Sequence, residues 1–297
     1  MPFINIFVSK NAYIYTKNNQ LYLENNGDKV DYPLEDINAI MIENLNTTIS
    51  TYSLSKFAEL GILVYVCDQT HLPCGVMLPF MKHYQTVSQY ELQVNASKPL
   101  KKRLWQTIIK NKIKNQNDVL NLCGGKDELK ALFESVASGD STNNEAKASL
   151  IYFKRLFGSE FVRRKDCSTN SFLNYGYSIL RGLISRSIVM HGLTPFLGLF
   201  HHNVYNQFNL ADDLIEVFRP LVELYVKIRL KNEQELTTKI KGELFGIINI
   251  DVKIENQKQT VSNAIDMLVE SYIKSLREGK DILKNIEILG LEFHRYE

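Results

Sequence analysis

The first ninety residues carry short hydrophobic runs, rich in β-branched and aromatic residues, in a pattern that is typical of β-strands. Turn-forming residues separate these runs at 17–20 and at 26–28. Apolar residues then recur at helical spacing between 54 and 60, and Gly61 is a suitable end for that helix. The strands that this pattern predicts lie at 12–16, 21–24, 37–42 and 62–67.

Beyond residue 98 the hydrophobic period is helical almost throughout. Ser141 and Thr142 offer an N-cap for the third helix, and Gly192 ends the fourth. Residues 247–254 alternate in the manner of a small β-insertion. The predicted helices span 99–121, 126–137, 143–157, 171–191, 208–231 and 260–279.

The two patterns together predict an α+β protein, with a small N-terminal β-rich domain followed by a larger all-α C-terminal domain. We place the β-rich domain at residues 1–90, a connector at 91–98 and the helical domain at 99–297. Asn95 and Ser97 interrupt the periodicity inside that connector. No glycine pattern of a P-loop or of a dinucleotide-binding fold joins a strand to a helix.

The composition is that of an ordinary globular protein, with 44% hydrophobic and 23% charged residues. The N-terminal stretch lacks a basic segment before an apolar core and lacks a small-residue cleavage site, so we expect no signal peptide. No uncharged apolar run is long enough to cross a bilayer, and four cysteines are too few for a disulfide framework. We therefore expect a cytoplasmic protein without a membrane partner.

Charge is distributed unevenly, although the net charge is only +2. Residues 98–186 contain 17 Lys or Arg against 8 Asp or Glu, an excess of nine positive charges, so the remainder of the chain carries −7. A basic middle between acidic flanks agrees with a phosphate-binding face, and equally with a solvated surface of uneven charge. Charge alone leaves both interpretations open.

The densest polar cluster in a mostly apolar context begins at His201 and ends at Pro220. Asp213 and Glu216 are three positions apart on a predicted helix and share one face, and His201 lies in the loop before it. Carboxylate oxygens and an imidazole nitrogen suit Mg²⁺ or, because it tolerates nitrogen more readily, Mn²⁺. On this local pattern alone, a solvated acidic pair and a structural histidine remain the alternative.

The spacing of these residues extends to other parts of the chain. Asp213 follows His201 by twelve positions and Glu216 follows it by fifteen. Glu145, at a predicted helix start, precedes a Tyr-Phe pair by seven and eight positions. Across essentially the whole chain these motifs resemble the CRISPR-associated spacer-acquisition integrases, the family of the universal first-numbered Cas protein. Further segments that carry the resemblance are Gly192-Leu193-Thr194-Pro195, Gly198-Leu199-Phe200-His201, Phe218-Arg219-Pro220 and Asn174-Tyr175-Gly176-Tyr177-Ser178-Ile179-Leu180.

The resemblance implies a DNA endonuclease and integrase of CRISPR adaptation, which joins strands by metal-dependent transesterification. It makes Glu145, His201 and Glu216 the catalytic residues and the ligands of one Mg²⁺ or Mn²⁺ ion. By the family spacing, His201 rather than His202 takes the ligand position. Asp213 either orients His201 without touching the metal or reaches the metal through water.

The resemblance also implies partners for this chain. The substrates are double-stranded DNA, both the captured fragment and the CRISPR repeat. The family forms homodimers, two of which flank a dimer of a small second Cas adaptation protein, and we assign dimerisation to the β-rich domain. Segment 206–214 is most similar to the type II branch, which suggests further adaptation proteins. The candidate DNA-binding residues are Lys101, Lys102, Arg103, Arg163, Arg164, Lys165, Arg181 and Arg186.

Two other functions stay open at the level of sequence. One is a non-haem metal enzyme that uses His201, His202 and Glu216, although adjacent side chains on an extended backbone point in opposite directions. The other is a non-catalytic DNA-binding scaffold of the same adaptation complex, which would have no need of three metal ligands. Both would leave part of the motif pattern without a role.

Three further features each have two interpretations. Trp105 either stacks on a DNA base or belongs to the core. Arg219 either contacts DNA or pairs with the carboxylate three positions before it. Cys67, His71 and Cys74 have the composition of a zinc site but lack a fourth ligand nearby, which favours a structural role.

Overall fold

The computed structural model describes residues 2–80 and 83–295. Strands dominate up to residue 77 and helices follow, so the predicted α+β class is confirmed. Helix α1 spans Thr51–Leu60, among the N-terminal strands. These strands are Ile4–Val8 (β1), Tyr13–Lys17 (β2), Gln20–Asn25 (β3), Asp28–Pro33 (β4), Ile37–Ile42 (β5), Thr48–Ile49 (β6), Leu63–Cys67 (β7) and Pro73–Met77 (β8).

The N-terminal strands form two sheets. The first has the order β1-β5-β7-β8, with β1, β5 and β7 parallel and β8 antiparallel to β7. The second has the order β4-β3-β2-β6, and within its central hairpin Tyr15 pairs with Tyr22. The four predicted strands and the predicted helix are present. The hydrophobic pattern misses β1, β4, β6 and β8. At β8, Pro73 and Gly75 disfavour a strand locally, and pairing with β7 overrides that preference.

The first sheet is covered on both faces. Met41 and Tyr65 point into the core that the sheet shares with the C-terminal helices. Ile40 and Val64, the alternate residues of the same strands, point into a second core with α1 and the other sheet. The sheet therefore joins the N-terminal strands to the helical part of the molecule through a continuous apolar contact.

The C-terminal part is mainly helical. Within the described residues no helix is long and apolar enough to span a bilayer. The helices are Thr86–Asn95 (α2), Lys98–Leu122 (α3), Lys130–Glu134 (α4), Asn144–Phe157 (α5), Ser168–Met190 (α6), Asn209–Leu214 (α7), Arg219–Arg229 (α8), Thr238–Phe245 (α9) and Val261–Glu278 (α10). The strands are Ile250–Ile254 (β9), Gln257–Thr260 (β10) and Ile286–Phe293 (β11).

Part of the predicted connector at 91–98 is helical, because α2 continues to Asn95. Gln93 secures this helix: its Nε2 donates to the Thr194 carbonyl (3.1 Å), and its Oε1 accepts the Thr194 amide (2.8 Å). A hydrophobic pattern cannot distinguish a polar side chain that is buried with its partner from one that is exposed.

The predicted helix 126–137 is also largely wrong, since only Lys130–Glu134 is helical. The Asp127 carboxylate accepts hydrogen bonds from the side chains of Asn117 (2.9 Å) and Asn121 (2.8 Å). These bonds hold Asp127 in a left-handed conformation (φ 43°), in which the chain cannot continue as a helix.

The C-terminal part contains a sheet, so the prediction of an all-α domain needs correction. β9 pairs with β10 and with β11, both antiparallel. The β-insertion predicted at 247–254 is confirmed for residues 250–254, while residues 246–249 form a 3₁₀ helix. The Asn111 side chain on α3 donates to the Ile286 carbonyl and accepts its amide hydrogen, each at 2.8 Å. This pair of bonds fixes the sheet to the longest helix of the core.

Candidate functional site

Glu216 lies in a short 3₁₀ turn, Ile215–Val217, that interrupts the predicted helix 208–231. Helix α8 starts directly after this turn, with Pro220 at its beginning. Proline has no amide hydrogen and cannot continue a preceding helix. The Asn115 side chain on α3 donates to the last carbonyl of the turn (2.8 Å). The turn is therefore anchored to α3, and it holds the Glu216 side chain in the protein interior, 4% exposed.

Glu145 lies in the first turn of α5, and Asp140 determines where that helix begins. The Asp140 carboxylate accepts the amide hydrogens of Asn144 (2.9 Å) and Glu145 (3.0 Å), which a helix start leaves unpaired. The predicted N-cap at 141–142 is wrong, because Asn143 turns the chain through a left-handed conformation (φ 52°) after those residues. The Glu145 side chain remains 30% exposed, so solvent and ligands can reach it.

Both glutamates contact the ammonium group of one lysine. Lys112 of α3 places Nζ 2.6 Å from Glu145 Oε1 and 2.6 Å from Glu216 Oε2. Burial on its own lowers the pKa of this ammonium, but the charges of Glu216 and Glu145 outweigh it and raise the Lys112 pKa above its ordinary value of 10.5. A buried carboxylate–ammonium–carboxylate bridge thus links α3, α5 and the turn before α8.

Sequence reasoning missed Lys112. The available signal was its position on α3, because Leu104, Ile108 and Lys112 follow one another at four-residue spacing on the buried face of that helix. A lysine at an apolar position of such a stripe indicates a buried partner of opposite charge.

Glu216 is ionised in spite of its burial. Burial alone would raise its pKa, but Arg219 and Lys112 hold the Glu216 pKa below its ordinary value of 4.5. The Arg219 Nη2 lies 3.3 Å from Glu216 Oε1, so the pairing interpretation of Arg219 is confirmed. Glu216 Oε2 is buried and lies 2.6 Å from the cationic Lys112 Nζ. Such an oxygen is suited to bind a cation.

His201 is oriented by Asp213. The ring Nδ1 lies 2.7 Å from Asp213 Oδ1, and the fully buried Asp213 carboxylate also accepts the amides of Leu199 (2.6 Å) and Phe200 (3.1 Å). Because a carboxylate only accepts, Nδ1 carries a proton and Nε2 has the free electron pair in the neutral ring. The hydrogen bond to Asp213 raises the pKa of His201 above 6.5, against the opposing effect of burial.

Trp105 supports this arrangement from the core. It is 2% exposed, and its ring stacks on Phe200 with centroids 4.4 Å apart and planes at 1°. Its edge contact with His201 has a centroid distance of 5.8 Å. The core interpretation of Trp105 is therefore confirmed, and the residue packs the loop before α7 against α3.

The structure arranges the three predicted ligands in two groups. Glu145 and Glu216 share Lys112, His201 is paired with Asp213, and His201 and Glu216 influence each other's pKa through their charges. Among residues 2–80 and 83–295, no three His, Cys, Asp or Glu side chains form a ready metal cluster. Two carboxylates and an imidazole nitrogen nevertheless have the donor chemistry that suits a hard divalent cation.

A basic groove opens beside Glu216. Arg163 and Arg219 both lie over the Tyr177 ring, with their guanidinium carbons 5.2 and 4.9 Å from its centroid. Two asparagine side chains fix Arg163 by accepting from its guanidinium at 2.9 and 2.8 Å. A cavity of about 660 Å³ continues past Arg164 and Lys165. Arg163, Arg164 and Lys165 outnumber Asp166 in the lining of this cavity, so its net charge is positive and suits an anion such as phosphate.

The other predicted DNA-binding residues have different surroundings. Arg181 forms a two-bond pair with Asp212, at 2.7 and 3.0 Å, and stays half exposed. Arg186 is wrong as a DNA contact: it is buried, and its Nη1 donates to the Asn38 carbonyl (3.0 Å) and side-chain oxygen (2.6 Å). It joins α6 to β5 instead. Near the start of α3 lie Lys101, which is half-buried, and Lys102 and Arg103, which are exposed.

The cysteines and the second histidine are not brought to this site. Cys67 is a free thiol on β7, where burial raises its pKa to about 12. His71 Nδ1 lies 3.2 Å from the Glu43 carbonyl, which agrees with the structural interpretation of this set. His202 is exposed, whereas His201 is half-buried against Trp105.

Sequence comparison gives matches over most or all of the chain. The family model described as CRISPR associated protein Cas1 matches residues 6–243. A protein named CRISPR-associated endonuclease Cas1, from Neisseria meningitidis serogroup C (strain 8013), is 39% identical over 306 residues, covering 100% of both chains.

Solved structures share the fold at low sequence identity. A casposase bound to integration product superposes with a TM-score of 0.76 at 17% identity, covering 100% of this chain and 96% of that one. A chain of a Cas6-RT-Cas1–Cas2 complex superposes with a TM-score of 0.69 at 17% identity, covering 94% of this chain and 35% of that longer chain. At this identity the likeness concerns the fold alone.

Proposed function

This chain belongs to the Cas1 family of CRISPR-associated proteins, and we propose that it is the metal-dependent DNA integrase of CRISPR adaptation. The curated relative is named an endonuclease, which supports chemistry at a DNA phosphodiester. The observation that carries the proposal is the contact of Glu145 and Glu216 with one cationic group, together with the pairing of His201 with Asp213, three positions before Glu216.

We assign Glu145, His201 and Glu216 as the ligands of one Mg²⁺ or Mn²⁺ ion. Such an ion, when bound, screens the charge of a phosphodiester and polarises it toward a nucleophile. The ionised state of Glu216 and the orientation of the His201 ring by Asp213 both support this assignment. Arg219, beside Glu216, adds positive charge that favours an anionic substrate.

The proposed reaction is a transesterification. The 3′-hydroxyl of a captured DNA fragment attacks a phosphorus atom at the edge of a CRISPR repeat. A new phosphorus–oxygen bond forms while the bond to the 3′ oxygen of the repeat strand breaks, and that oxygen leaves as a hydroxyl after it takes a proton. The number of phosphodiester bonds is unchanged and no nucleoside triphosphate is consumed, which agrees with a sequence that lacks a P-loop pattern.

Double-stranded DNA is the proposed partner of the basic groove. The position of Arg163, Arg164 and Lys165 next to Arg219 supports a phosphate path that starts at the catalytic carboxylates. We extend this path to the cluster at 101–103, one turn before Trp105 on α3. Arg181 lies at the edge of this proposed path and contributes less to it, because its positive charge is paired with Asp212.

The proposed assembly is a homodimer through the β-rich domain, with a small second Cas protein bridging two dimers. The superposition on a chain of a Cas6-RT-Cas1–Cas2 complex supports the second protein as a partner. The type II resemblance of segment 206–214 supports further adaptation proteins, and the proposed site of action is the cytoplasm.

The test is a strand-joining assay on single substitutions. Glu145→Ala, His201→Ala and Glu216→Ala should each abolish joining of a fragment to repeat DNA at saturating Mn²⁺, with the circular dichroism spectrum unchanged. The matched control is His202→Ala, whose exposed side chain lies next to the ligand, and it should retain substantial activity. Wild-type activity in any of the first three variants would remove that residue from the ligand set. Equal loss in His202→Ala would favour a different histidine ligand.

A further inference from the structure

Lys112 is the part of the site that the proposed function leaves without a role. Its side chain is 7% exposed, and its Nζ lies 2.6 Å from one oxygen of each proposed carboxylate ligand. A divalent cation shared by Glu145 and Glu216 needs contact with oxygens of the same two groups. An ammonium and a divalent cation repel strongly at such short separation in a buried site, so the two cannot hold this position together.

We infer that Lys112 is an internal substitute for the metal ion: it holds Glu145 and Glu216 together in the metal-free protein and withdraws when a divalent cation binds between them. The inference rests on the proposed function and deepens it. Without a positive charge between them, two carboxylates in a largely buried site repel each other and would separate or take up protons. Lys112 thus keeps the site assembled before metal arrives.

The contacts of Lys112 show how it can withdraw. Its hydrogen bond is with Glu145 Oε1, on the more exposed of the two carboxylates. Its contact with Glu216 Oε2 is equally short, at 2.6 Å, on a carboxylate that is only 4% exposed. Because Glu145 is 30% exposed, an ammonium that swings toward the outer side of Glu145 keeps that contact while it leaves the Glu216 oxygen to the metal.

The backbone around Lys112 is fixed, which restricts the exchange to its side chain. Asn111 is bonded to Ile286 of β11, and Asn115 is bonded to the Val217 carbonyl, so the preceding and following parts of α3 are both anchored. A lysine side chain has four flexible methylene groups and can swing without backbone movement.

The consequence is a competition that metal affinity measures directly. The apparent Kd of the metal is its intrinsic Kd divided by the fraction of molecules in which Lys112 has withdrawn. If that fraction is about one in ten, then Lys112→Met should bind Mn²⁺ about tenfold more tightly than the wild type. The same variant should have a lower Tm than the wild type in EDTA, and Mn²⁺ should raise its Tm by more.

The experiment is titration of the full-length protein with Mn²⁺ alone, without DNA, followed by electron paramagnetic resonance. Lys114→Met is the control for loss of a lysine from the same helix, since this residue pairs with Asp118 at a half-exposed position. Arg219→Met is the control for loss of a positive charge beside Glu216. A tenfold gain in Lys112→Met, with smaller gains in both controls, supports the competition.

Two results would overturn the inference while leaving the proposed metal site intact: an unchanged or weaker affinity in Lys112→Met, or a gain no larger than that of Arg219→Met. Absence of Mn²⁺ binding in every protein, wild type included, would overturn the proposed metal site itself. Should Lys112→Met fail to fold, a crystal structure of the wild type with Mn²⁺ tests whether Lys112 and the metal compete. The competition requires Lys112 Nζ to have left the position between the carboxylates, and an ammonium still in contact with both would contradict it.

Discussion

At the scale of single residues, Asp213 has the most fully defined role. Its carboxylate accepts from the His201 ring and from the amides of Leu199, Phe200 and His201, and it is fully buried. No acceptor capacity is left for a metal ion, because the two oxygens serve four donors. This favours the first of the two sequence-based interpretations, in which Asp213 orients His201 without touching the metal.

Asp213→Asn tests that interpretation. The substituted amide keeps the shape but replaces one acceptor oxygen with a donor, which opposes the amides and ring that it faces. We expect strand joining to slow by about 10–100-fold, as is typical when a partner of a ligating histidine is lost, with partial recovery at higher Mn²⁺. A complete loss at every metal concentration, as expected of Glu216→Ala, would instead make Asp213 a ligand.

Glu223 is a buried carboxyl group in the opposite situation: its hydrogen bonds and nearby positive charges do not offset the cost of burying its ionised form. Tyr177 donates a hydrogen bond to its Oε1 (2.6 Å), but burial prevails and raises the Glu223 pKa above 4.5. A raised pKa in the folded state means that stability is lost as the pH rises from 4.5 through the folded-state value. Above that value the folded protein bears the full cost of an ionised, buried carboxylate.

Glu223→Gln should therefore become progressively more stable than the wild type as the pH rises through that window. A gain of about 1–3 kcal/mol at the upper end, from urea unfolding, matches the cost of an incompletely paired buried group. Glu134→Gln, at an exposed helical position, should show no such pH-dependent difference. A constant difference between Glu223→Gln and wild type from pH 5 to pH 8 would contradict the assignment.

At the scale of elements, sequence predicts helices and strands well where hydrophobic side chains determine burial. α3, α5, α6 and α10 lie within a few residues of their predicted bounds. Prediction fails where polar side chains are buried with specific partners, as at α2, where Gln93 bonds Thr194, and at the break that carries Glu216, where Asn115 holds a 3₁₀ turn. Periodicity contains no information on such long-range pairs.

The same limit applies to the candidate site. Spacing and family resemblance single out Glu145, His201 and Glu216. Lys112 is not part of those motifs, and it lies more than thirty residues before Glu145 in the sequence. Arg186 shows the opposite error. It lies in a basic region of the sequence and was predicted to bind DNA, but it is buried and donates to the Asn38 carbonyl. Residue type alone cannot separate a surface charge from a buried one.

The contact of α6 with β7 depends on Gly182. A Cβ at this position would lie against the Tyr65 ring, well inside van der Waals contact, and Tyr65 is fully buried with its hydroxyl bonded to the Ile179 carbonyl (2.5 Å). Gly182→Ala should destabilise the protein by about 1–3 kcal/mol in urea unfolding, because neither element can move away. Gly242→Ala in α9 meets only an ordinary contact of 3.5 Å and should be neutral or slightly stabilising. Equal effects of the two substitutions would contradict the close packing.

At the scale of the whole molecule, the N-terminal strands and the helices form a connected body. Beyond the shared apolar core, Arg186 binds Asn38 and Lys241 Nζ lies 3.2 Å from Glu43 Oε1, and all four residues are buried. Buried pairs of this kind are costly to break when one partner is removed. These buried pairs therefore hold the β-rich part against the helices that carry the site.

The uneven charge of the chain gives a prediction at this scale. Replacement of Arg163, Arg164 and Lys165 by glutamine should weaken DNA binding and lower the slope of log affinity against log salt by about one unit per lost phosphate contact. Mn²⁺ affinity should change much less. Lys239→Gln, at a position that is 86% exposed on α9, is the control and should leave the slope unchanged. An unchanged slope in the triple variant would place the DNA path elsewhere.

The central claim is a metal-dependent attack by a DNA 3′-hydroxyl at the site of Glu145, His201 and Glu216. It is tested most directly with a labelled fragment that ends in either a 3′-hydroxyl or a 3′-dideoxy group, incubated with repeat DNA and the accompanying adaptation proteins. We predict covalent joining of the hydroxyl fragment in Mn²⁺, none in EDTA, none with Glu216→Ala and none with the dideoxy fragment. Joining of the dideoxy fragment, or equal joining in EDTA, would contradict the account.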